Sequence, residues 1–199
     1  MRQVPTLDAE IAMNRINQTL AIHMREKRGM LESWRGRLRG TAGVVRTDPS
    51  RYLVLPHIVA IAEEFSRRLL ITKTEVQVPQ NRPVLKKLWL KAEDQAEGRW
   101  EEHLRAWKDW HQIPLASEST YTNLRPFIEA RNAIMHGLGE LTRRQRRGNQ
   151  EATLRGELKH VGIDVIGTRL VVHDKAVARC AGACKTFVEQ LDLRAQAIS

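Results

Sequence analysis

The six residues Arg131-Asn132-Ala133-Ile134-Met135-His136 set three chemically distinct side chains into a single turn and a half of chain. A histidine can take or give a proton near neutral pH. An arginine offers a planar, permanently charged fork that matches the oxygens of a phosphoryl group. An asparagine can hold an imidazole in one tautomer or bind a substrate oxygen. On a helix, Asn132 and His136 are surface neighbours, while Arg131 lies about 140° around the axis from His136.

Spacing alone is weak. With 24 arginines and 7 histidines in 199 residues, an Arg followed five places later by His is expected about 0.8 times by chance, and a second copy does occur at Arg155 and His160. Requiring Asn directly after the Arg lowers the expectation to roughly 0.025. Only the Arg131 copy meets that requirement.

The surrounding pattern reads as a helix over residues 124–138. Leu124, Ile128, Met135 and Leu138 form an apolar stripe with Phe127 and Ile134 at its edge, and Arg125, Glu129, Asn132 and His136 form a polar face. Arg131 falls within the apolar stripe, where an unpaired charge is costly. It therefore needs a carboxylate partner or a face that is not ordinary core. Glu63, on an earlier helix, is the candidate partner; its plainer reading is a surface helix charge. One Arg and one His on different faces make a poor centre alone, and a two-fold dimer with two such helices face to face would bring both pairs to one cleft.

An R-N-x-x-x-H run near the end of a penultimate long helix, in a small helical domain, resembles the HEPN superfamily (higher eukaryotes and prokaryotes nucleotide-binding). The likeness covers most of the chain in architecture and six residues in sharp motif. It implies a metal-independent endoribonuclease with a composite dimeric site, in which Arg131, Asn132 and His136 are the catalytic set. RNA supports this chemistry because its own 2′-hydroxyl is the nucleophile. The enzyme must remove that proton, protonate the 5′-oxygen leaving group and stabilise charge on the phosphoryl oxygens. HEPN-like chains also often carry a β-hairpin between their last two helices.

The elements that must position these residues follow from periodicity. Residues 6–38 read as a long helix on Met13, Ile16, Leu20, Met24, Leu31, Trp34 and Leu38, and residues 40–49 as a loop. A second helix spans 50–72 on Leu55, Ile58, Ala62, Phe65 and Leu69, with Pro56 as a kink or a later start. A third spans 84–111 on a Trp-rich stripe that suits core or dimer interface better than base stacking. Thr122 or Asn123 is the expected N-cap of the motif helix, with Pro126 in its first turn and Gly137 or Gly139 as its stop. Beyond it come Arg143, Arg144, Arg146 and Arg147, then a short helix ending at Gly162, a hairpin of 163–166 with 169–172, and a last helix over 174–197. The expected fold is mainly all-α: one domain over residues 1–199, an antiparallel helical bundle with a small β-hairpin before the last helix.

A net charge of +10 and a pI near 10.2 favour a polyanionic partner. With RNA as that partner, Arg125, Arg143, Arg144, Arg146 and Arg147 are the candidate backbone contacts; the plainer reading of the Arg143–Arg147 run is a solvated basic loop. Cys180 and Cys184 lie one helical turn apart, in phase with Val177, Phe187 and Leu191, so they read as core in a reducing cytoplasm. The remaining histidines lack metal-ligand spacing, no glycine-rich phosphate loop occurs, and no carboxylate cluster suits a two-metal nuclease. No cofactor and no metal are expected. No signal-type run is present and no stretch approaches 18 apolar residues, so a cytoplasmic protein without membrane contact is expected.

Three functional readings follow. The first is a HEPN-type ribonuclease, acting as a toxin or an anti-phage, abortive-infection effector. The second is a non-catalytic RNA-binding or dimerisation subunit of a defence or toxin–antitoxin complex, with a cognate antitoxin or defence subunit as partner. The third, a helical DNA-binding regulator, has no clear helix-turn-helix to support it.

Overall fold

The computed structural model describes residues 4–35, 50–78, 82–96 and 98–198, and for residues 30–35 and 95 the backbone alone. Among the described residues the chain is mostly helical: α1 (Leu7–Arg35), α2 (Ser50–Gln77), α3 (Pro83–Ala96), α4 (Trp100–His111), α5 (Ser119–Gly137), α6 (Gln150–Val161) and α7 (Asp174–Gln196). A hairpin, β1 (Ile163–Ile166) against β2 (Arg169–Val172), precedes the last helix as expected. No helix among the described residues is long and apolar enough to cross a membrane. The chain forms two compact units, Met1–Met13 with Ala60–Leu124 and Ala183–Ser199, and Asn14–Val59 with Arg125–Gly182.

The first unit is built on tryptophan. Trp107 is fully buried, and its Nε1 donates to Ser66 Oγ and His103 Nε2, both at 3.1 Å. The His103 ring stacks on Trp100, which meets the edge of Phe187. Burial pushes the His103 pKa down to about 4, the Ser66 hydrogen bond opposing it. The imidazole is therefore neutral, and its Nε2 is free to accept from the indole. Asp192, also buried, accepts from the Thr6 backbone N–H at 2.8 Å and the Thr6 hydroxyl at 2.6 Å, which ties the start of α1 to α7.

The single helix expected over 84–111 is two helices here. Gly98 supplies a residue of low helix propensity, and the Glu102 carboxylate accepts the Arg99 N–H at 3.0 Å, starting α4 anew. The motif helix also begins earlier than its caps suggested. Thr122 bonds back to the Glu118 carbonyl through both N–H and hydroxyl, and Tyr121 packs on Trp100. Pro126 consequently sits inside α5, not in its first turn. Pro56 likewise lies within an unbroken α2. The loop expected at 40–49, with Leu38 and the side chains of Leu31 and Trp34, lies outside the described residues.

The second unit packs Phe127, Ile128, Ala130 and Ala133 of α5, Leu154 and Leu158 of α6, Leu170 and Val172 of β2, and Val177 and Cys180 of α7 into its interior. Cys184, on the stretch of α7 that belongs to the first unit, is equally buried. Hydrogen bonds stitch the end of α5 to the hairpin: Leu170 N–H to Gly139 O at 2.9 Å and Leu141 N–H to Thr168 O at 2.8 Å. Gly139 has φ +88°, a conformation that favours glycine, and a Cβ there would stand a tight 3.1 Å from the Tyr52 ring. The Tyr52 hydroxyl donates to the Leu170 carbonyl, and Arg51 Nη1 to the Val172 carbonyl at 3.0 Å, fixing the start of α2 to β2.

Candidate functional site

The α5 stripe read from the sequence holds only as far as Ile128. Beyond it the buried side moves to Ala130 and Ala133, while Met135 is 55% and Leu138 92% exposed. Arg131 is half-buried. Its face at the C-terminal end of α5 is thus not core, which was one of the two conditions its charge imposed. Arg131, Met135, Asn132 and His136 occupy one sector of about 140°, in which Arg131 and Asn132 are half-buried and Met135 and His136 exposed; Leu138 follows just past the helix end.

Arg131 Nη1 donates to Asn132 Oδ1 at 3.0 Å. That bond orients the Asn132 amide so that its Nδ2 remains available as a donor. Among the described residues no hydrogen bond joins Asn132 to His136, so the asparagine orients the arginine fork and not the imidazole. His136 is exposed, in the last turn of α5, with no hydrogen-bond partner among the described residues. Just beyond it Leu138 takes the left-handed conformation, φ +53°, and the Gly139 N–H turns back to the Ala133 carbonyl at 3.1 Å. A leucine in that conformation costs about 1–2 kcal/mol. A left-handed residue also ends α4, at Gln112, φ +58°, so the conformation at Leu138 serves to terminate the helix.

Glu63 is half-buried on α2, in the first compact unit; Arg131 belongs to the second.

The basic run forms a turn after α5. Its odd member, Gln145, is the buried one. Gln145 Nε2 donates to the Glu129 backbone carbonyl at 2.9 Å and to Glu129 Oε2 at 2.6 Å, and its Oε1 accepts from the N–H and hydroxyl of Thr142 at 3.0 and 3.1 Å. Arg144 reaches Glu129 Oε1 at 3.4 Å. Arg143, Arg146 and Arg147 are exposed, and among the described residues none of their guanidinium groups has a carboxylate partner. Arg125 is held by both carboxylate oxygens of Glu157 on α6, at 2.7 and 2.9 Å.

An open groove of about 980 Å3 lies between α5, the basic turn and the start of α6. Arg125, Arg144 and Arg147 line it with Glu129 and Thr153; Arg143, Arg146, Arg131, Asn132 and His136 do not. The sequence reading missed Gln145, Glu129 and Glu157. A lone uncharged residue within five positions otherwise all arginine was the signal available for the first of them.

Among the described residues no three or more His, Cys, Asp or Glu side chains group as a metal site would require. Comparison of the chain with protein families, with curated proteins and with solved structures gives no match.

Proposed function

We propose that the protein is a metal-independent endoribonuclease of HEPN type, acting as a homodimer whose two α5 helices face each other. The observation that carries the proposal is the C-terminal end of α5, where Arg131, Asn132 and His136 share a sector with exposed Met135, and exposed Leu138 follows just past the helix. A second copy would cover the apolar pair and set each His136 opposite the partner subunit's Arg131. One imidazole takes the 2′-hydroxyl proton as that oxygen attacks phosphorus. The P–O5′ bond breaks, and the partner subunit's His136 returns a proton to O5′, leaving a 2′,3′-cyclic phosphate and a 5′-hydroxyl. The two Arg131 forks stabilise the phosphoryl oxygens, and the exposed arginines hold flanking phosphates. Glu63 is proposed to steady the Arg131 fork. Such an activity suits a toxin or an anti-phage effector held in check by an antitoxin or a defence subunit.

The test is incubation with single-stranded RNA in the presence of a chelator. Cleavage persists in chelator and is lost in both His136→Ala and Arg131→Ala. A requirement for divalent metal, or full activity in both variants, rejects the proposal. Binding without any cleavage, unaffected by His136→Ala, selects the non-catalytic RNA-binding subunit instead.

A further inference from the structure

We infer that the groove between α5, the basic turn and the start of α6 is a single-stranded RNA subsite that feeds the strand toward His136. The inference deepens the ribonuclease reading and rests on it for the choice of RNA.

Three features carry it. The first is charge. Arg125, Arg144 and Arg147 line the groove; Arg125 is paired with Glu157 and Arg144 with Glu129, while among the described residues Arg147 has no carboxylate partner and leaves the lining net positive. The second is shape. At about 980 Å3 the groove is at the upper end of the roughly 300–1,000 Å3 of concave ligand sites. A few nucleotides of single strand can enter it, whereas a duplex must lie across a surface. Among the described residues no aromatic side chain lines it, so its affinity comes from phosphates and from polar groups such as Asn149 and Thr153, not from base stacking.

The third feature is alignment. Arg125, Glu129, Asn132 and His136 all fall within about 60° of one another around α5. The helix wall of the groove and the catalytic imidazole therefore share one face. Glu129 precedes His136 by seven residues, about 10 Å along the axis, so a strand leaving the groove along α5 arrives at the imidazole within one or two nucleotides. The walls are preset. Gln145 fixes the turn to α5, and the Arg125–Glu157 pair fixes α6 to α5, so little ordering is needed on binding.

The experiment measures equilibrium binding of labelled 2′-O-methyl RNA, which lacks the nucleophilic hydroxyl, to the full chain. Oligomers of two, four and eight nucleotides are compared with AMP and with an eight-base-pair RNA duplex. The variants are Arg144→Ala with Arg147→Ala, and, as an equal change of charge elsewhere, Arg105→Ala with Lys108→Ala. The eight-mer is expected to bind best and to weaken about tenfold or more in the first variant. Its slope of log affinity against log salt should fall by about 1.4, or about 0.7 for each phosphate that is no longer neutralised. The second variant should bind like the parent protein.

Equal binding by the parent and the Arg144/Arg147 variant overturns the inference, as does equal weakening in the charge control. AMP as strong as the eight-mer would make the groove a free-nucleotide site, and a stronger duplex would make it a double-strand surface; either result overturns the inference too. Cleavage of unmodified RNA is scored separately. Groove-dependent binding with no cleavage rejects the ribonuclease reading and leaves the subsite standing. Cleavage with unchanged KM in the Arg144/Arg147 variant rejects the subsite and leaves the ribonuclease.

Discussion

The Gln145 side-chain amide donates to both the backbone carbonyl and the carboxylate of Glu129, at 2.9 and 2.6 Å. One uncharged residue in a run of arginines thus ties the basic turn to the motif helix. Replacing Gln145 by Ala would leave the Glu129 carboxylate and the Thr142 N–H without this partner. The expected cost is about 1–3 kcal/mol in denaturant unfolding. Oligonucleotide affinity should fall although no positive charge has been removed. Unchanged affinity would mean that the basic turn holds its place without the anchor.

His136→Ala should separate activity from stability. The side chain is exposed and makes no hydrogen bond among the described residues, so unfolding free energy should change by no more than about 0.5 kcal/mol. RNA cleavage should drop to background. A variant that unfolds at markedly lower denaturant would show that the imidazole has a structural role, and its lost activity would then say nothing about chemistry.

Leu138→Gly relieves the left-handed strain at φ +53°. Set against the larger unfolded-state entropy of glycine, the net gain is about 0.5 kcal/mol for the isolated protomer. Self-association should weaken at the same time, because a 92% exposed leucine is removed from the proposed facing surface. Sedimentation equilibrium measures the second effect and denaturation at low concentration the first. Unaltered association places the dimer interface elsewhere.

Glu63 and Arg131 call for a double-mutant cycle on cleavage rate. If the carboxylate steadies the arginine fork, Glu63→Gln lowers kcat in the parent protein and has little further effect in Arg131→Ala, leaving a coupling of about 1–3 kcal/mol. Additive effects would make Glu63 an ordinary helix charge.

Buried His103 gives the protein a pH dependence of known sign. Its folded pKa is depressed from 6.5 to about 4, so the unfolded chain binds the proton more readily than the folded one. Stability is complete above pH 6.5, falls as the pH drops toward 4, and levels off below that. Across that window the loss attributable to this residue is about 3 kcal/mol. His111, also lowered by burial with the Lys73 charge adding to it, contributes in the same direction. His103→Leu, which cannot titrate, should flatten the profile relative to the parent. Parallel profiles for the two proteins would remove His103 as the cause.

Local chemistry in the chain was enough for most of the elements. Apolar residues at helical spacing announced the helical stretches, and Gly167-Thr168 between two short β-branched runs announced the hairpin. The Cys180 and Cys184 phase announced a buried face, because a side chain's position around a helix is fixed by its number in the sequence. The motif was legible for the same reason, as was the odd placement of Arg131 on an apolar stripe. Which part of that stripe would be buried was not legible. Periodicity reports where a residue points and not what covers it, so only the packed structure showed the core shifting to Ala130 and Ala133 and leaving Met135 and Leu138 outside. The break at Gly98, the early start of α5 and the Gln145 anchor all depend on bonds or packing beyond the apolar period: Glu102 capping Arg99, Tyr121 against Trp100, Gln145 across to Glu129. A groove is a property of three elements at once, and no one of them carries it in its own sequence.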